Sequence, residues 1–395
     1  MEKMTIHYTL DAPVLVGHRA VCGVVGSGNL EVIVESCADT VFEVTTSLGD
    51  YEHIWRSVID TFVNQYQPSG LKFTLNDGGA TPFTVSLRLR QAFEAFQGDQ
   101  SNGVHYVEMG ARHRIASLLD QNTFEEWLSD RVFYSPHLQA LDLPCEVDDG
   151  VVIGSGQFDG HRILVAAQQR EFMGGAVGEM HGAKLTGLFY QAVNLGVHAV
   201  VLLIDSGGVR LQEANAGEIA ISEIIRAIFA ARQKGILTIG IVCGKNGAFG
   251  GMGIVSGCLD AVIVNEIARI GVSGAEVIQT VKGVEAFDSQ NHPLVWRVYG
   301  GRTRYLQTIA TGYVHGDMDS IKASLKQALQ QTSLPLLTSA KERYAELKKR
   351  FETTQGFHEE GEYLAHVDPK NVASIFNGST QDFLAAALSL KQDDK

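Results

Sequence analysis

The chain has 395 residues, 45% of them hydrophobic and 19% charged, with a formal net charge of −13. That length and mixture suit a folded protein of two or more domains, and the acidic balance excludes a basic stripe of the kind that neutralises nucleic-acid phosphates or docks on an anionic membrane. No run approaches the roughly 20 apolar residues that span a bilayer, and the amino terminus MEKMTIHYTLDAP lacks the apolar core of a signal peptide, so a cytoplasmic protein without a membrane segment is expected.

Residues 1–96 read as a small α+β domain. LEVIVES (30–36), TVFEVTTS (40–47), LKFTL (71–75) and FTVSLRLRQAF (83–93) alternate as strands do, YEHIWRSVIDTFVNQYQ (51–67) is an amphipathic helix, and NDGGATP (76–82) reads as a hairpin turn. Six Lys/Arg against twelve Asp/Glu through residue 100 leave this part acidic. Within it, GVVGSGNLEV (23–32) sets Ser27 among Gly23, Gly26 and Gly28. Glycine supplies the positive φ of a tight turn, which accounts for the cluster. A serine that must protrude for another enzyme to modify accounts for it equally. QGDQSNGVH, residues 97–105, is polar and glycine-bearing and is expected to be a linker.

Residues 106–395 follow a different pattern. A helical lead-in, ARHRIASLLDQNTFEEWLSD (111–130), precedes apolar strands at HRILVAAQQ (161–169), VHAVVLLID (197–205), ILTIGIVC (236–243) and DAVIVNE (260–266). Helices are expected between them, over 173–196 and 211–235 and from GAFGGMGIVSGC (247–258), which implies a mostly parallel sheet covered by helices. VVIGSGQFDG (151–160) repeats the G-S-G tripeptide, but the strand-like HRILVAA beside it marks a β-hairpin. KERYAELKKRF (341–351) is a charged, solvated helix.

Two glycine-rich turns share one design. IDSGGVRLQE (204–213) sets Gly207, Gly208 and Val209 between an apolar strand and a long helix, and GAFGGMG (247–253) sets Gly250, Gly251 and Met252 in the same relation to the next pair. Each turn offers backbone N–H groups at the positive end of a helix, without side chains to keep an oxygen away. Two such turns from neighbouring strands can form an oxyanion hole, each donor being worth about 3 kcal/mol in the transition state. Glycines that serve only packing would leave the same trace.

Other motifs fail on inspection. GIVCGKNG (240–247) is one residue short of a phosphate loop and carries Asn246 where a magnesium-binding hydroxyl belongs; HEEGE from His358 is no zinc-protease motif; and no G-x-S-x-G elbow occurs. His181, His198, His292 and His315 lack a second ligand at metal spacing and read as surface or helix-packing residues. The five cysteines, Cys22, Cys37, Cys145, Cys243 and Cys258, contain no C-x-x-C pair and suit a reducing compartment. No A-M-K-M sequence is present to receive biotin.

The stretches FMGGAVGEMHGAKL (172–185), SGGVRLQEA (206–214), GAFGGMG and AVIVNEIARIGVSGAEVIQTV (261–281) resemble the carboxyltransferase branch of the crotonase superfamily, and more closely the β subunit of malonate decarboxylases. AVCGVVGSGNLEV (20–32) with FEVTTS (42–47) resembles the δ subunit, the acyl carrier of the same enzymes. The resemblance implies a fusion: a carrier over 1–96, a linker over 97–105 and an α/β crotonase-like domain over 106–395.

It implies further that Ser27 bears 2'-(5''-phosphoribosyl)-3'-dephospho-CoA through a phosphodiester, put there by a prosthetic-group transferase. Gly174 and Gly175 then belong to the part that binds this cofactor, and neither metal nor biotin is expected. An α subunit, the transferase, would exchange acetyl for malonyl on the carrier thiol. The β-like segment would decarboxylate the malonyl thioester through an enolate held by the amides of Gly207, Gly208 and Val209 and of Gly250, Gly251 and Met252. A γ subunit is expected as a partner, because enzymes of this branch complete the site between two related units and this chain has one. Two alternatives keep the sequence features: a carboxyltransferase that passes the carboxyl group to biotin on a partner, and a carrier or scaffold without catalysis. Gly208→Val and Gly251→Val are expected to abolish decarboxylation while the chain still folds.

Overall fold

The computed structural model describes residues 2–393 apart from 16, 18, 24, 26–28, 47–48, 98–104, 130–131 and 379, with backbone only at 292, 336, 377 and 391–393. The chain divides into two compact units, Met1–Gly103 and Val104–Lys395. Ser27, Gly26 and Gly28 lie outside the described residues, as does most of the expected linker.

The first unit is a five-stranded sheet with two helices. Its elements are β1 (Glu2–Tyr8), β2 (Ala20–Cys22), β3 (Leu30–Ser36), β4 (Thr40–Thr46), α1 (Glu52–Tyr66), β5 (Leu71–Asp77) and α2 (Pro82–Phe96). The strand order is β1-β4-β5-β3-β2, with β4 and β5 parallel across α1 and the other pairs antiparallel. Alternation along β3 buries Leu30, Val32 and Val34 in one core with Ile59 and Phe62 of α1 and Leu89 and Phe93 of α2, and Phe42 stacks on Phe73 at 4.5 Å.

Two expectations fail here together. Residues 83–93 are helix rather than strand, so 76–82 leads into a helix instead of closing a hairpin. Thr81 caps this helix by accepting the Thr84 amide, Pro82 occupies its first turn, and Asp77 Oδ1 accepts the amides of Gly79 and Ala80 before it. Val85, Leu87 and Leu89 do alternate, but Val85, Leu89, Ala92, Phe93 and Phe96 also form a helical stripe, and tertiary burial selects that one.

The second unit is built on a seven-stranded sheet. Its elements begin with α3 (Ala111–Leu118), β6 (Glu125–Trp127), α4 (Pro136–Ala140), β7 (Val151–Phe158), β8 (His161–Gln168), α5 (Glu179–Leu195), β9 (Ala199–Leu203) and α6 (Asn215–Gln233). They continue through β10 (Leu237–Val242), α7 (Gly250–Gly257), β11 (Ala261–Val264), α8 (Ala275–Lys282), α9 (His292–Tyr299), α10 (Gly301–Leu306), β12 (Gly312–Tyr313) and α11 (Met318–Ala328). Four further helices, from Leu336 to Asp393, end the chain.

The order β12-β11-β10-β9-β8-β7-β6 is parallel from β8 to β12 and antiparallel at the β6 and β7 edge. A parallel sheet covered on both faces needs strands without a polar face, which is why β9 reads AVVLL. Val200 and Leu202 face Leu185, Leu188, Ile224 and Ile228 of α5 and α6, while Val201 and Leu203 face Ile115, Leu118, Ile321 and Leu325 of α3 and α11. Asp159 and Gly160, both with positive φ, turn the β7–β8 hairpin.

Helix limits also differ from the expected ones. The lead-in helix ends at Leu118, where Asp120 to Thr123 turn the chain through Asn122 at φ 60° into β6. α5 starts at Glu179 rather than near 173, because Gly174 and Gly175 take φ of 66° and 68°.

Candidate active site

The carboxyl ends of β9 and β10 run out side by side, and their chains remain bonded beyond the strands. Ser206 donates to Gly247 O at 2.8 Å and Phe249 donates to Ser206 O at 3.0 Å, with Ser206 and Ala248 paired in parallel. This registration carries the two glycine turns into contact. A Cβ on Gly250 would lie 3.2 Å from Gly208 Cα and 3.9 Å from Val209 N, and one on Gly208, whose φ is 131°, would lie 3.5 Å from Phe249 O.

A bond-by-bond account of the amides decides what the turns can offer. Gly207 N donates to Gly174 O at 2.9 Å, Gly208 N to Ser206 Oγ at 3.2 Å, Gly250 N to Val272 O at 3.1 Å and Met252 N to Phe249 O at 3.1 Å. The amides of Val209 and Gly251 have no acceptor among the described residues. They come from opposite turns, and Gly251 sits in the first turn of α7, where the helix contributes its positive end. The six residues singled out by sequence thus lie together, with two open donors between them.

Gly174 and Gly175 form a third turn beneath the first. Gly174 O accepts from Gly207 N and from Asn246 Nδ2, and a Cβ on Gly175 would stand 2.0 Å from Asp205 O. Their glycine character lets this backbone touch the Asp205–Ser206 backbone.

Several residues that fix the turns escaped sequence reasoning. Arg210, fully buried, donates to both carboxylate oxygens of Asp149 at 2.8 and 2.9 Å and to Glu213 Oε1 at 2.9 Å. Those two carboxylates in turn accept the Glu179 and His181 amides, so side chains from outside α5 cap its first turn. Burial works against the Asp149 charge and raises its pKa, while Arg210 opposes that rise. His181 is buried; Gln168 Nε2 lies 3.1 Å from its Nε2 and Asp149 O lies 3.2 Å from its Nδ1, which assigns the proton to Nδ1. Burial, then the charges of Arg210 and Lys184, hold its imidazole well below the usual histidine range. The local signal for this network was that Arg210 directly follows SGGV.

The remaining histidines stand apart from the turns' hydrogen bonds. His198 stacks on His161 at 4.6 Å, His315 bonds Asp317 at 2.9 Å, and the His292 side chain is outside the described atoms. Among the described residues no group of three or more His, Cys, Asp or Glu is placed to hold a metal ion, and no helix is long and apolar enough to cross a membrane.

Comparison with known sequences and structures divides the chain where the fold does. Residues 17–96 match the malonate decarboxylase delta subunit family, and residues 108–301 match the carboxyl transferase domain family. The malonyl-S-ACP:biotin-protein carboxyltransferase of Malonomonas rubra is 31% identical over 72% of this chain and 96% of its own length. The malonate decarboxylase acyl carrier protein of Acinetobacter calcoaceticus is 45% identical over 25% of this chain and the whole of its own. A Pseudomonas malonate decarboxylase hetero-tetramer, solved in complex with malonate, contains a chain 36% identical to this one. The two superpose with a TM-score of 0.56 over 58% of this chain and 85% of that one. The carboxyltransferase-like α/β unit, the carrier-like unit before it and these relatives together show that the chain belongs to the malonate decarboxylase family, joining an acyl-carrier segment to a carboxyl-transferase segment.

Proposed function

We infer that the chain is the carrier and decarboxylating component of a malonate decarboxylase, and that its second unit removes CO2 from a malonyl thioester. The observation that carries this reading is that the Val209 and Gly251 amides, which have no acceptor among the described residues, belong to two glycine turns that touch each other. When the C–C bond to the carboxylate breaks, the electron pair moves into an enolate and its charge collects on the thioester oxygen. Two fixed donors aimed at that oxygen stabilise the enolate more than the neutral thioester, which lowers the barrier. Protonation of the enolate carbon then gives the acetyl thioester.

Ser27 is the proposed attachment point for 2'-(5''-phosphoribosyl)-3'-dephospho-CoA, which supplies the thiol that holds the acyl group. It stands in the connection between the antiparallel strands β2 and β3, outside the described residues. A transferase (α) subunit, a γ subunit and an enzyme that loads Ser27 are the proposed partners; the Pseudomonas relative is itself a hetero-tetramer. The name of the Malonomonas relative favours a second reading, in which the same enolate forms but the carboxyl group passes to biotin on a partner.

Malonate turnover by the assembled native complex, measured with and without avidin, separates the two. Avidin-resistant CO2 release supports direct decarboxylation, and avidin-sensitive release overturns it in favour of transfer. The mass of the peptide containing Ser27, from protein made in its native host, tests the attachment: an unmodified serine removes the carrier role.

A further inference from the structure

We propose that the buried ion pair between Arg114 and Asp205 is a positioning strut that sets the spacing of the two glycine turns and thereby the aim of the Val209 and Gly251 amides. This rests on the oxyanion reading above and extends it to two residues outside the turns.

Asp205 is fully buried and is held by groups from several segments around the site. Its Oδ2 accepts Arg114 Nη2 at 2.8 Å, its Oδ1 accepts the Asn246 amide at 2.7 Å, and its own amide donates to Gln168 Oε1 at 3.1 Å. Its carbonyl is the group that Gly175 makes room for. The carboxylate therefore spans from the first turn, which it precedes, to the loop that leads into the second. Arg114 holds it from behind. This guanidinium is 1% exposed, donates through Nε to Tyr106 O at 3.1 Å and lies 4.4 Å from the Tyr106 ring. Gly244 is the complement: a Cβ there would sit 2.1 Å from Asp205 Oδ2. The sequence spends a glycine, an arginine and an aspartate from three distant segments on one buried contact, and the two turns are what that contact joins.

A buried pair can also serve stability alone, and the chain contains a control for that. Arg232 and Asp260, 2.9 Å apart and 4% and 6% exposed, are buried to a similar degree and bond none of the turn residues. Three variants of the full chain, assembled with its partner subunits, form the test: Asp205→Asn, Gly244→Ala and Asp260→Asn. Gly244→Ala removes no charge and no hydrogen-bonding group, and only displaces the carboxylate. For each, kcat and KM for malonate are scaled to the folded fraction, and backbone hydrogen exchange is followed in peptides covering 206–210 and 244–251.

The strut predicts a kcat at least 50-fold lower for Asp205→Asn and Gly244→Ala, KM within threefold of wild type, and faster exchange in both peptides. Asp260→Asn should lower the melting temperature and leave kcat per folded chain and both peptides unchanged. Wild-type kcat per folded chain in Asp205→Asn and Gly244→Ala overturns the strut, as does an equal kcat loss in Asp260→Asn. Full activity of Gly208→Ala rejects the oxyanion reading and the strut with it, whereas a kcat loss in Gly208→Ala alongside wild-type kcat in the first two rejects the strut alone.

Discussion

Gly208 and Gly250 meet across the two turns so closely that a single Cβ on Gly250 would stand 3.2 Å from Gly208 Cα. Gly208 also holds a φ of 131°, which residues with a side chain rarely adopt. Gly208→Ala is therefore expected to cost about 1–3 kcal/mol of stability through backbone strain. It should lower kcat by about 10²-fold as the turn relaxes from its strained φ and the Val209 amide loses its aim. Single-turnover CO2 release by the assembled complex, read beside thermal melting, checks both; wild-type kcat with an intact fold would remove the oxyanion assignment.

Gly251→Val is a different kind of substitution from the one its sequence context suggested. A Cβ at 251 would lie 2.4 Å from Ile221 Cγ1 on α6, so the new side chain overpacks the core as well as crowding the donor. A destabilisation of about 1–3 kcal/mol is expected. Combining it with Ile221→Ala should recover part of the stability, measured by urea unfolding, without recovering activity. Additive losses of stability would show that the two positions do not compete for space.

Arg210→Met should be among the most destabilising single changes in the second unit. It leaves the carboxylates of Asp149 and Glu213 buried without their shared cation, an expected cost of about 3–5 kcal/mol. Arg210→Lys should rescue little, since one ammonium cannot reproduce contacts made to both Asp149 oxygens and Glu213 through a guanidinium. The shift in urea midpoint reports either outcome, and a loss below about 1 kcal/mol would mean that water reaches the carboxylates.

His181 should make folding stability depend on pH. Its pKa is depressed in the folded chain by burial and by the charges of Arg210 and Lys184, whereas an unfolded histidine titrates near 6.5. Below about pH 6.5 the unfolded chain binds a proton that the folded chain refuses, so stability present above that pH is lost as pH falls, at up to about 1.4 kcal/mol per pH unit. The difference in unfolding free energy between wild type and His181→Gln should be constant above about pH 7.5 and shrink below about pH 6.5. A difference that stays flat down to pH 5 would contradict the buried, neutral state of His181.

Much of this architecture was legible in local sequence because its causes are local. An all-apolar AVVLL or LTIGIV is what a strand buried on both faces requires, and SGGV and FGGM announce turns because few residues other than glycine reach their backbone angles. FTVSLRLRQAF was misread for the converse reason. Its apolar residues satisfy a period of two and a period of 3.6 together, and only packing against the β-sheet of the first unit decides between them. The Thr81 cap and Pro82 were the local signs of helix that the alternation obscured.

The site divides along the same line. Sequence named both turns, since each is a contiguous run at the end of a strand. Which amides remain open depends on partners elsewhere in the chain: Gly174 for Gly207, Val272 for Gly250. Nor could sequence pair Arg114 with Asp205, 91 residues away, because an arginine in ARHR looks like the exposed face of a helix until the sheet closes over it. Local sequence determined the residues that need unusual backbone or continuous burial; the tertiary structure alone decided which donors are left free and which charges are buried as pairs, because both depend on groups that only folding brings together.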